Sequence, residues 1–205
     1  MHSVSGGLLM PTIAVLLLML AFTVVEIGGL ITEIIFERRK VHINVPRMIN
    51  AFQDKTPEEI LGDIDQSGLF RRQKAALREL IDNRTLPVIS LQAIARRLLA
   101  QEELHYAKIT SRTDLIARVG PMFGLMATLI PLGPGLIAMG QGDTKTLADS
   151  LLTAFDATVA GLAAAAICFG ISRLRRRWYE DYMSSLEALM ESLLEVFARE
   201  RGIKE

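Results

Sequence analysis

Three long apolar runs divide this chain, and no soluble fold explains them. Leu8–Val25 holds 18 residues without a charge, and Val119–Gly142 holds 24. Ser150–Ser172 holds 23 with a single charge, Asp156. At 1.5 Å per residue each run covers most or all of a bilayer core as a helix. The expected fold is therefore all-α, with three transmembrane helices at about 8–36, 119–141 and 150–172. The first run has no Lys or Arg before it and no small-x-small site after it. It is expected to be a retained span rather than a cleaved signal.

Lys and Arg set the orientation. "ERRK" (37–40) follows the first run, Arg112 and Arg118 precede the second, and "RLRRR" (173–177) follows the third. The loop between the second and third runs holds only Lys145 of the 23 Lys and Arg residues. The positive-inside rule then places the N-terminus outside the inner (plasma) membrane and the C-terminus in the cytoplasm. Four parts follow: 1–36 with the first span, a cytoplasmic helical insert at 37–117, a transmembrane hairpin at 118–172 and a cytoplasmic C-terminal helix at 173–205. In this setting "RLRRR" reads as a stop-transfer flank and not as a nucleic-acid patch, and the zero net charge fits that.

The insert reads as helices. Thr56 is placed as N-cap with Pro57 at the first helical position and Glu58 and Glu59 in the first turn. Apolar positions 69, 70, 76, 77, 80 and 81 form a helical stripe. From Val88 to Val119 there is neither Gly nor Pro, which predicts one long helix leading into the second span. Leu91, Ile94, Ala95, Leu98, Leu99 and Leu104 would form its apolar face. The tail beyond residue 177 continues the third span as a helix to Gly202. Its apolar positions (182, 183, 186, 189, 190, 193, 194, 196 and 197) suggest packing between subunits, because an 81-residue helical insert is small for a core of its own.

Nothing suggests catalysis. The lone Cys168 forms no intrachain disulfide and no zinc site. His2, His42 and His105 have no ligand spacing. No nucleophile elbow, phosphate loop or triad signature occurs. No enzyme activity, cofactor or metal is expected.

The chemistry lies in the paired spans. Pro121, Gly124, Thr128, Pro131 and Gly135 recur at helical spacing on one face of the second span, and Ala154, Thr158, Gly161 and Ala165 on one face of the third. Small residues let membrane helices approach closely, and Thr hydroxyls can bond across or back to their own helix. Helix packing alone is thus one reading. Glu26, inside the first span, leaves two readings open: a buried structural hydrogen bond or a place on an ion path. Gly28 and Gly29 beside it suggest close helix approach. Glu33, near the inner end, is expected to snorkel and pair with the basic flank.

"VGPMFGLMATLIPLG", a short polar hairpin, then "LLTAFDATVAGLAAAAICFG" and a basic stop resemble the proton-channel family of MotA, TolQ and ExbB. Pro121, Gly124, Leu125 and Thr128 match the family pattern in the second span. Thr158, Gly161 and Leu162 match it in the third. The three-span layout resembles the TolQ/ExbB branch rather than the four-span MotA branch. Ala127 and Pro131 stand where the family usually has Gly, and two prolines in "PLGP" imply a kink. The family's outer acid falls at Thr153 here, so Asp156, three residues on, is read as its displaced version. The resemblance implies a pentamer of this chain around a single-span ExbD/TolR/MotB-like partner carrying a membrane aspartate. It further implies that Thr128 and Thr158 line a path for protons or sodium ions, with Asp156 and Thr153 near its outer mouth. The alternative is a non-conducting membrane scaffold that uses the same faces only to pack helices.

Overall fold

The computed structural model describes residues 2–38, 44–53 and 55–202. Arg39 and Lys40 of the first basic flank, and His42, lie outside the described residues. Every described element is a helix: α1 (His2–Thr32), a π-helical extension (Glu33–Arg38), α2 (Val45–Gln53), α3 (Pro57–Gln66), α4 (Arg71–Asp82), α5 (Val88–Gly140) and α6 (Thr144–Glu200). No strand occurs among the described residues, and the all-α expectation holds. Three helices are long and apolar enough to cross a membrane: Gly7–Ile35, α5 and α6. As expected, α5 runs without a break from Val88 into the second apolar run. It carries Pro121, Pro131 and Pro134 within it.

The chain divides into two compact units. The apolar unit takes the segment up to Ile31 and residues Ile109–Arg175. Its centre is the α5/α6 hairpin. The chain reverses at Gly142, whose φ of +81° lies where L side chains are strained. Asp143 caps α6: its carboxylate accepts from the Thr146 backbone N–H at 3.0 Å and from the Thr146 hydroxyl at 2.5 Å. These bonds hold the Asp143 carboxyl below the usual carboxylate range. The two helices then touch backbone to backbone. A Cβ on Gly161 would lie 2.9 Å from the Gly120 carbonyl oxygen and 3.0 Å from the Gly124 Cα. Only glycine fits that contact.

The polar unit takes Thr32–Lys108 and Arg176 to the C-terminus. Thr56 and Glu59 form a capping box at the start of α3, with Pro57 in its first turn. The Thr56 backbone N–H donates to Glu59 at 2.9 Å, and this bond lowers the Glu59 pKa. Phe52, Ile60, Ile64, Leu77, Leu80, Ile81 and Leu91 are fully buried. They pack with Leu186, Leu189, Met190, Leu193 and Phe197 of α6 in one core. The apolar stripe of the tail is therefore covered by its own chain, which corrects the expectation of packing between subunits. Insert and tail supply enough apolar surface together, where the insert by itself is short of it. Leu104 is 70% exposed. At 3.6 residues per turn it has drifted off the face that Leu91, Ala95 and Leu98 bury.

Charged groups tie this core together. Arg72 grips Glu102 with three hydrogen bonds of 2.8–3.2 Å, which raise the Arg72 pKa. The buried Gln73 side chain donates to the Tyr182 carbonyl at 3.1 Å. Tyr182 also packs edge-on against Phe70, with centroids 4.6 Å apart.

Candidate functional site

Small residues of α5 and α6 fill the hairpin seam. Gly124, Pro131 and Gly135 of α5 are buried, as are Ala154, Gly161 and Ala165 of α6; Pro121 is half-buried. At this seam the Thr158 hydroxyl has two acceptors. The Gly124 carbonyl of the facing helix is 3.2 Å away, and the Ala154 carbonyl of its own helix is 3.0 Å away. A hydroxyl carries one proton, so it donates fully to one of them at a time. A Cβ at 124 would lie 3.5 Å from the Thr158 Cα, an ordinary contact, so the close approach is set one turn away, where Gly120 faces Gly161.

The other predicted polar residues are placed differently. Thr128, one turn beyond Gly124, donates to its own helix at the Leu125 carbonyl, 2.7 Å away. Thr153 likewise donates back to Asp149 at 2.9 Å. Thr158 thus meets Gly124, and Thr128 and Thr158 share no direct hydrogen bond. Asp156 is exposed and has no hydrogen-bond or ion-pair partner among the described residues. It stands among exposed apolar side chains: Leu152 (63%), Phe155 (62%) and Val159 (65%). Two residues along a helix turn about 200°, so Asp156 faces away from the seam that holds Thr158.

A second polar group lies at the end of the apolar unit away from the hairpin loop. Glu26 of α1 pairs with Arg175 of α6 at 2.5 Å, with side chains only 14% and 7% exposed. Ser172, one turn before Arg175, hydrogen-bonds Asp114 of α5. Thr23 and Cys168 meet at 3.4 Å. Thr113 is fully buried and donates to the Thr110 carbonyl at 3.0 Å. Sequence reasoning found Glu26 and missed its partner, because Arg175 sits in a run that reads as a solvated flank. The available signal was the helical spacing of Cys168, Ser172 and Arg175, which puts one arginine of that run on the packed face.

One family model covers the whole of this hairpin. The model of the MotA/TolQ/ExbB proton channel family matches residues 66–188, well over half of the 205 residues. The chain belongs to the MotA/TolQ/ExbB proton channel family. The match runs from the end of α3 through the whole hairpin to the part of α6 that enters the core of the polar unit. No curated protein matches the chain. Membership of MotA/TolQ/ExbB, with three helices apolar enough to span a bilayer, makes this a membrane protein of a channel family.

Proposed function

We propose that this chain is the ring-forming subunit of a channel or motor complex of the TolQ/ExbB branch. It couples a proton or sodium gradient to work through a single-span ExbD/TolR/MotB-like partner. The ring is a homopentamer in the inner membrane, with the N-terminus outside and the C-terminus in the cytoplasm. Spans two and three line the inside. Thr158 and Thr128 supply hydroxyls to the ion path, and Asp156 with Thr153 attracts the cation at the outer mouth.

The observation that carries this reading is the exposed, unpartnered Asp156 on an apolar helix face. A carboxylate facing lipid is costly, by about 2.5–3.5 kcal/mol or more near the bilayer centre. The described residues of the single chain offer it no cover, so a neighbouring subunit, the partner or a water-filled path has to. The second reading, a non-conducting scaffold, is favoured by one observation: Thr128 and Thr153 spend their hydroxyl protons on their own helices, as packing residues do.

Purification from the native membrane with any associated single-span protein, followed by native mass spectrometry, tests the assembly. Five copies of this chain with a one-span partner are expected. A stable monomer in mild detergent contradicts the proposal.

A further inference from the structure

Glu26 is the only charged residue in α1, and the ion path proposed above has no place for it. Its carboxylate meets Arg175, a residue of the basic run after span three. Arginines at a span's end ordinarily snorkel toward water, and Arg173, Arg176 and Arg177 are all exposed. Arg175 instead turns inward and is buried. The packing makes room for it: a Cβ on Gly29 would lie 3.3 Å from Arg175 Nη2, whereas Gly28 has nothing within 4 Å. One turn before Glu26, Thr23 touches Cys168 at 3.4 Å. Helices α1 and α6 are therefore joined at two points, 23 to 168 and 26 to 175, and they run parallel.

We propose that the Glu26–Arg175 pair is a pin that holds span one in register on span three, so that Glu26 positions a helix and carries no ion. A guanidinium keeps its charge at any working pH. A carboxylate locked onto it presents no free negative charge to a passing cation. Removing one partner of a buried pair leaves the other charge uncompensated, which is far more damaging than removing both.

The Thr23–Cys168 contact supplies a reporter of that register. Thr23→Cys places a second thiol against the native Cys168, and mild oxidation in the assembled complex should crosslink them. Adding Glu26→Gln or Arg175→Gln alone should slow crosslinking at least about tenfold. The double variant Glu26→Gln/Arg175→Gln should crosslink within about twofold of the Thr23→Cys parent, and its ion flux should match the parent's. The proposal is overturned if the parent does not crosslink, if the single variants crosslink as fast as the parent, or if the double variant stays as slow as the singles. A double variant that crosslinks normally but has lost ion flux also overturns it, because Glu26 then carries the ion. If the unmodified complex passes no ions at all, the proposed channel function fails, and the crosslinking rates alone still decide the pin.

Discussion

The Thr158 hydroxyl lies 3.2 Å from the Gly124 carbonyl and 3.0 Å from the Ala154 carbonyl, shared between two helices. Its proton can switch acceptor with little movement. When it turns to Ala154, the Gly124 carbonyl keeps its backbone bond within α5 and has one lone pair open. In the proposed ion path, that hydroxyl and the open lone pair would offer two oxygen ligands to a proton-carrying water or a small cation. Thr158→Ser keeps the hydroxyl and should keep the activity driven by the complex, whereas Thr158→Val should lower it roughly two- to tenfold. Growth or transport dependent on the complex measures both.

The glycine contact makes a sharper structural prediction. Gly161→Ala puts a methyl 2.9 Å from the Gly120 carbonyl and 3.0 Å from the Gly124 Cα. Backbone cannot move aside cheaply, so the hairpin should open and the complex should be lost from detergent extracts. Gly133→Ala, at a position with nothing within 4 Å, should assemble normally. Size-exclusion profiles of the two variants decide this.

Topology is tested by labelling, in a Cys168→Ala background so that only the introduced thiol reacts. A Cys placed at Gly142 or Thr144 should react with an impermeant reagent added outside the cell. A Cys at Ala75 or Ser184 should not. External labelling at position 75 would reverse the proposed orientation.

The tail of α6 is a core element of the polar unit. Leu193→Ala and Phe197→Ala, both at buried positions, should each destabilise that unit by about 2–5 kcal/mol. Thermal unfolding of the intact protein in detergent should show a lower midpoint for each. Glu191→Ala, at an exposed position on the same helix, should leave it unchanged.

Much of this architecture is legible in the residues, and the rest hides for physical reasons. Apolar runs give the spans, and Thr56, Pro57 and Gly202 mark helix ends through backbone chemistry that is local. Gly161 falls in the spaced set of small residues, and close backbone approach demands glycine there, whereas Gly120, which is equally tight, falls outside the spaced set that begins at Pro121. Pairings between distant segments are not local. Helical spacing from Cys168 and Ser172 puts Arg175, and not Arg173 or Arg176, on the packed face, but nothing local names Glu26 as its partner. The cover over Leu189 and Phe197 comes from α3, α4 and the start of α5, more than 90 residues earlier in the chain. Hydroxyl direction is equally hidden: the spacing puts Thr128 and Thr158 on packed faces, but only the structure shows Thr128 turned to Leu125 and Thr158 shared with Gly124.

Asp156→Asn removes the charge and keeps the shape. The complex should assemble as before, because Asp156 has no partner among the described residues. Ion flux should fall, because the outer mouth no longer attracts a cation. Failure of the variant to assemble would instead mean that Asp156 is a contact between subunits.

Ion flux through the purified complex in proteoliposomes, followed with a pH-sensitive dye under an imposed gradient, tests the central claim most directly. Thr158→Val and Thr128→Val should assemble and melt like the unmodified complex. Each should pass ions roughly two- to tenfold more slowly, the equivalent of one lost hydrogen bond of ~0.5–1.5 kcal/mol. If both valine variants conduct like the unmodified complex, the hydroxyls only pack helices and the ion-path account is wrong.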